Sequence, residues 1–166
     1  MRNRYHLHGK DKTMDKQTFQ RNVLASEDML YRVSKSICFY EADCEDAVGQ
    51  AILNAYAKLD SLREEKYFRT WITRILINEC YRINKQKLRE VTFFEYALTS
   101  EASEDNYSFV FTEIMKLPPK IRIVIQLYYV EDYSVNEIAS ILHIPSGTVK
   151  SRLSQGRAKL KSILED

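Results

Sequence analysis

An all-α fold is predicted: two small helical domains joined by an acidic flexible linker, the second ending in a helix-turn-helix. Three observations carry this. Apolar residues recur at helical spacing through both ends of the chain. Four Gly and three Pro in 166 residues are too few for a loop-rich or all-β protein. A polar, acidic stretch without Lys or Arg separates two basic regions. A hydrophobic content of 45% is enough for real cores, and 29% charged residues provide a soluble surface. The net charge of +2 says little by itself about partners; its distribution says more.

Residues 1–16, MRNRYHLHGKDKTMDK, are polar and aperiodic. They read as a disordered or non-native leader, with Met14 the more natural start. They lack the apolar core of a secretory signal, and no run of about 18 apolar residues suggests a membrane span. The first domain is placed at 17–90. From Gln17 to about Phe39 the residues Phe19, Val23, Leu24, Leu30, Val33 and Ile37 give a helical pattern, with a new turn or cap possible at Ser26-Glu27-Asp28. The acids Glu41, Asp43, Glu45 and Asp46 open a second helix, where negative charge suits the positive end of the helix dipole. It runs to about Leu59 with Val48, Ile52, Ala55 (or Tyr56) and Leu59 inward. Asp46, Gln50, Asn54 and Lys58 are left on its other side, which on composition alone is a solvated face.

After a short polar connection, residues 60–67, a long helix runs from Phe68 to about Lys87. Phe68, Trp71, Ile72, Ile75, Leu76 and Cys80 are expected to bury. Arg69, Thr70, Arg74, Asn78, Arg82 and Lys85 remain for another surface. Residues 62–90 hold eight Lys/Arg against four Glu. Arg74, Asn78 and Arg82 stack along one face about 6 Å apart, given 1.5 Å of rise per residue. An Asn amide can read a base edge, and Arg can bind phosphate or stack on a base. Tyr67, Phe68 and Trp71 could stack on an unpaired base, although Phe68 and Trp71 also read as core.

Residues 91–108 are placed as the linker; the run TSEASEDN has the composition of a tether that does not fold alone. Phe93, Phe94 and Tyr96 precede it and are candidates to pack on the first domain. The second domain spans 109–166. Phe109, Val110, Ile114 and Leu117 begin it, Pro118-Pro119 breaks the chain, and Pro119 can start the next helix. Ile121, Val124, Ile125, Leu127, Tyr128 and Val130 then form a broad apolar stripe. Ser134 to Leu142 is the first helix of the helix-turn-helix: Ser134 is the N-cap, Glu137 completes a capping box, and Val135, Ile138, Ala139 and Leu142 form its apolar face. His143-Ile144-Pro145 makes the turn, since proline cannot continue a helix.

Ser146 is expected to cap the second helix, whose Val149, Leu153 and Leu160 point one way. Gly147, Lys150, Ser151, Ser154 and Ala158 point the other way, a small, polar, basic face. Lys150 can donate to guanine, and Ser151 and Ser154 can donate or accept. Arg152, Arg157, Lys159 and Lys161 flank it where phosphates would lie. Such a pair places its second helix in the major groove.

These residues carry a resemblance. Tyr133-Ser134, Glu137-Ile138-Ala139, Ile144-Pro145 and the run Gly147-Thr148-Val149-Lys150-Ser151-Arg152-Leu153 resemble the promoter-reading end of sigma factors of the extracytoplasmic-function group of the sigma-70 family. Phe68-Arg69-Thr70-Trp71-Ile72 and Arg74-Ile75-Leu76-Ile77-Asn78 resemble the segment that captures the melted −10 element. Glu45-Asp46-Ala47-Val48-Gly49-Gln50 with Leu53-Asn54-Ala55-Tyr56 resembles the segment that docks on RNA polymerase. The resemblance implies −35 contacts from Ser146, Thr148, Lys150, Ser151, Arg152, Ser154, Gln155 and Arg157. It implies −10 contacts from Arg69, Thr70, Trp71, Arg74, Asn78 and Arg82, and polymerase contacts from Asp46, Gln50, Asn54 and Tyr56. The partners implied are core RNA polymerase, promoter DNA and an anti-sigma factor, often membrane-tethered; the implied location is the cytoplasm.

No cofactor is expected, and no enzymatic activity: the chain has no Gly-rich phosphate loop, acid–base pair or metal-ligand spacing. Cys38, Cys44 and Cys80 include no CxxC and fit reduced thiols better than a disulfide framework or a metal site. A response regulator with a similar C-terminal helix pair would need an α/β receiver, and residues 17–90 lack the alternating strand–helix pattern. The remaining alternatives are a helix-turn-helix regulator or a polymerase-binding adaptor without initiation activity.

Overall fold

The computed structural model describes residues 14–90 and 109–165. Among them are seven α-helices and no strand. Residues 1–13 of the leader and the acidic segment, with Phe93, Phe94 and Tyr96, lie outside the described residues; residues 14–16 of the leader are described and lead into α1.

Helix α1 (Lys16–Lys35) starts behind Asp15, whose carboxylate accepts from the Thr18 amide at 2.8 Å. It is one uninterrupted helix, so Ser26 begins nothing new: its hydroxyl donates back to the Asn22 carbonyl at 2.8 Å, a bond that lets Ser sit inside a helix. Phe19, Leu30 and Val33 are buried as the periodicity requires, but Leu24 faces outward at 63% exposure.

In α2 (Glu41–Ala57) the buried stripe is Cys44, Ala47, Ala51 and Ala55, all at zero exposure. The expectation placed Val48, Ile52 and Leu59 inward; they flank the stripe, partly buried. Small residues occupy the line of closest approach because they let the backbones of α1 and α3 come near. This also resolves the choice at the helix end: Ala55 is inside, and Tyr56 is left half-exposed.

Two single 3-10 turns, Leu59–Ser61 and Glu65–Tyr67, replace a plain loop, and Leu62 between them is buried. Helix α3 (Phe68–Glu90) follows. Phe68, Ile72, Leu76 and Cys80 are buried against α1 and α2 at a strict four-residue repeat. Thr73 and Ile77, each one position further on, are buried too. They mark a second covered face that periodicity within the first half does not reveal. Trp71 and Ile75 are only partly buried.

All three thiols meet where these helices join. Cys38, Cys44 and Cys80 are free and buried, with the Cys38 thiol hydrogen-bonded to both others. Among the described residues no cluster of His, Cys, Asp and Glu is arranged to hold a metal ion. No described helix is long and apolar enough to cross a membrane.

The second half begins with α4 (Phe109–Met115) and α5 (Pro119–Ile125), the latter with Pro at its first position. The expected stripe is interrupted after Ile125 by a wide π turn, Gln126–Val130. That extra residue per turn rotates Tyr128, Tyr129 and Val130 outward, while Leu127 stays at zero exposure. The capping box at Ser134 is formed in full around α6 (Val135–Leu142): the Glu137 amide donates to the Ser134 hydroxyl, and the Ser134 amide donates to the Glu137 carboxylate at 2.8 Å. His143 closes α6 in the left-handed region at φ 53°. The final helix α7 (Ser146–Glu165) begins at Ser146 itself. Ser146 is therefore its first residue and not its cap; the Pro145 carbonyl precedes it and accepts from Thr148 and Val149. α5 and α7 cross at Gly156, which is buried beneath Ile121 and Ile125.

Candidate nucleic-acid interface

The recognition face of α7 is open. Ser146, Gly147, Lys150, Ser151, Ser154, Gln155, Arg157 and Ala158 are exposed, while Val149 and Leu153 are buried. Thr148 and Arg152 are half-buried. The hydroxyl of Ser151 donates to the Thr148 carbonyl at 3.0 Å, which fixes its rotamer. Arg157 donates to the Tyr129 hydroxyl at 3.3 Å, so the π turn props one flanking cation. A small, polar surface with cations at its margins can approach base edges closely and grip phosphates on either side.

The polymerase-facing candidates lie on α2. Asp46 and Tyr56 are exposed, and Gln50 and Asn54 are half-exposed. Gln50 donates to the Asn54 side-chain oxygen at 3.0 Å, and Asn54 donates to Glu79 of α3 at 2.8 Å. Asn54 is thus tied into the fold and presents only part of itself.

On the candidate −10 face of α3, Arg69, Asn78 and Arg82 are exposed, while Arg69 and Arg74 are engaged from the second half. Arg82 and Asn78 are exposed, with Arg82 donating to Glu79 at 2.7 Å. Thr70 and Trp71 are half-buried. Arg69 donates to the backbone carbonyl of Glu131 at 2.6 Å, and its guanidinium lies 4.2 Å from the centre of the Tyr133 ring. Arg74 donates to the Ser140 hydroxyl of α6 at 2.7 Å. Asn78 and Arg152, one from each candidate DNA-reading set, line the same cleft of about 260 Å³ between the halves.

Of the residues that hold the halves together, Arg32, Thr73 and Glu131 carry no sequence motif. Glu131, with 1% of its side chain exposed, receives Nε and Nη2 of Arg32 at 3.0 and 2.8 Å and the Gln126 amide at 3.2 Å. That two-bonded pairing raises the Arg32 guanidinium above its already high ordinary value. The Tyr133 hydroxyl is 2.7 Å from the Thr73 hydroxyl and 3.2 Å from the Arg69 carbonyl. Burial pushes the Tyr133 phenol up. A sequence signal exists only in retrospect: Thr73 sits one step off the apolar repeat of α3, and Glu131 follows directly on the second-half stripe.

Two family models match this chain, Sigma-70 region 2 over residues 23–89 and Sigma-70 region 4 over residues 111–160. Among curated relatives, the ECF RNA polymerase sigma factor SigW of Bacillus subtilis is 31% identical, spanning 92% of this chain and 91% of its own length. The ECF RNA polymerase sigma-E factor of Escherichia coli is 31% identical over 74% of each chain. Among solved structures, the sigma factor RpoE of Bartonella quintana, crystallised with the anti-sigma factor NepR, superposes with a TM-score of 0.75 at 25% identity. That match covers 90% of this chain and 98% of the other. CnrH, solved with the cytosolic domain of CnrY, superposes with a TM-score of 0.68 at 24% identity over 91% of this chain and 90% of its own, a likeness of fold.

Proposed function

The chain belongs to the extracytoplasmic-function group of the sigma-70 family, and from that premise we propose how its residues divide the work of promoter-specific transcription initiation. As a sigma factor it directs RNA polymerase to promoters. Its first half, residues 17–90, docks on core polymerase through the exposed side of α2, with Asp46, Gln50, Asn54 and Tyr56 the contacts. Arg69, Thr70, Trp71, Arg74, Asn78 and Arg82 on α3 hold the separated −10 strand. Its second half, residues 109–166, reads the duplex −35 element through α7, with Lys150, Ser151, Ser154 and Gln155 toward bases. Ser146, Thr148, Arg152 and Arg157 position the helix on phosphates.

The observation that carries this reading is the surface of α7: a recognition helix whose outward side is small, polar and flanked by cations while Val149 and Leu153 on its inward side are buried. The chain acts by binding, in the cytoplasm, and makes or breaks no bond. Strand separation costs stacking energy, which base capture and polymerase contacts offset. The join between the halves raises the effective concentration of the second contact once the first has formed. An anti-sigma factor is the expected antagonist, since RpoE of Bartonella quintana was solved bound to one.

Transcription in vitro with core polymerase across a promoter library tests this. Template-specific RNA synthesis that depends on the added chain is the expected result. Polymerase binding without any initiation would reduce the chain to an adaptor.

A further inference from the structure

We propose that the cleft between α3, α5 and the α6–α7 turn binds a small aromatic phosphate, of the nucleoside monophosphate class. This goes beyond promoter reading: the ligand is a small molecule, and two of the residues that would hold it, Lys120 and His143, belong to neither set of proposed DNA contacts.

Three basic side chains from three elements line the cleft: Lys120 near the start of α5, His143 at the end of α6 and Arg152 on α7. No carboxylate lines it, and none of the three is in an ion pair among the described residues. Elsewhere the pattern is different. Arg32, Arg82, Lys87 and Lys116 each have a carboxylate oxygen within 2.8 Å. Like charges gathered in a concavity with apolar walls focus their field and draw in an anion. Arg152 is half-buried there. Burial pushes the Tyr81 phenol up and the charge of Arg152 works against it, which sets the guanidinium close to that ring.

Charge alone would suit any anion; the remaining lining asks for more. The floor is apolar, with Ile77 of α3 and Ile123 of α5 buried in it. Tyr81 brings an aromatic ring that is 45% exposed, and Asn78 brings an exposed amide. The volume, about 260 Å³, lies just under the roughly 300–1,000 Å³ of drug-sized pockets, so the ligand is small. A nucleoside monophosphate has the matching ends. Its phosphate accepts from the planar fork of Arg152 and from the Lys120 ammonium. Its base offers a face to Tyr81 and a polar edge to the Asn78 amide.

Calorimetric titration of the full chain tests the site, with adenosine 5′-monophosphate, adenosine and inorganic phosphate as probes. The monophosphate is expected to bind at least roughly tenfold more tightly than either fragment, because one molecule makes both contacts. Lys120→Ala and His143→Asn are each expected to weaken it roughly three- to tenfold, the worth of one charge-assisted hydrogen bond. Asn suits position 143, whose φ is 53°. Tyr81→Ala is expected to bring the monophosphate down to the affinity of inorganic phosphate. Unchanged thermal unfolding shows which variants are folded. No binding of the monophosphate by the parent at millimolar concentration overturns the proposal. So does equal affinity for inorganic phosphate, since the floor and the ring then contribute nothing. Folded variants that all bind like the parent overturn it as well, because the ligand then sits elsewhere. None of these readings depends on transcription, so they stand apart from the test of promoter use.

Discussion

Gly156 leaves no room above Ile125: a Cβ built on it would stand 2.6 Å from both Cγ1 and Cδ1 of that side chain. The glycine's φ is not positive, so the requirement is space and not backbone freedom. It lets α7 lie directly on α5, and the recognition helix takes its angle from that crossing. Gly156→Ala is expected to destabilise the chain by about 1–3 kcal/mol, the usual cost of overpacking. Thermal unfolding measures it. At Gly147 a Cβ meets nothing within 4 Å, so Gly147→Ala is the matched control that leaves the fold intact.

Lys150 is exposed at the centre of the α7 face, one position after the wholly buried Val149. Lys150→Ala is expected to weaken use of the preferred promoter while binding to core polymerase is retained. A base contact of this kind contributes about 1–3 kcal/mol of discrimination. Transcription from matched and mutated −35 elements, beside a polymerase pull-down, gives the two readings. Equal loss of both would contradict the assignment.

Asn78 is the member of the Arg74–Asn78–Arg82 row with no side-chain bond of its own among the described contacts, and it is exposed. Asn78→Ala is expected to reduce open-complex formation more than duplex binding. Permanganate reactivity of unpaired thymines at the −10 element separates the two, and an unchanged reactivity pattern would remove Asn78 from strand capture.

The thiols yield a pH prediction. At Cys38 the bond with Cys44 pulls the thiol down, but the bond with Cys80 and burial outweigh it and hold it far above the ordinary range. At Cys44 the bond with Cys38 and then burial push it up. The unfolded chain ionises near the ordinary cysteine value of about 8.5, and the folded chain does not. The contribution to stability is therefore whole below that pH and lost progressively as pH rises above it. Denaturant titrations at pH 7 and pH 9.5 should show the lower midpoint at the higher pH. Native protein should also react slowly with alkylating agents at pH 8, because the reactive thiolate is scarce and enclosed.

Much of this molecule is legible in its sequence, for local physical reasons. Helical periodicity, the Ser134–Glu137 box and the Pro145 break each depend on residues within one or two turns, and the structure has them where periodicity and capping chemistry place them. The α7 face follows from the same spacing. Where the reading slipped, the deciding neighbour was far along the chain. The alanine stripe of α2 is set by how near α1 and α3 come, which no count of hydrophobicity in α2 reveals. Arg69 and Arg74 look like free cations on one helix; only the three-dimensional approach of Glu131, Tyr133 and Ser140 engages them. The π turn at Gln126–Val130 likewise adds a residue that a period of 3.6 does not anticipate.

The enclosed seat of Glu131 has a consequence for ionic strength. An ion pair with one member sealed from solvent is screened little by dissolved salt, whereas a grip on DNA phosphates weakens steeply as salt rises. The two opposing holds on Arg69 therefore respond unequally to the same change of medium. Added salt should therefore loosen the protein's grip on phosphates well before it loosens the Arg32–Glu131 pair that joins the two halves.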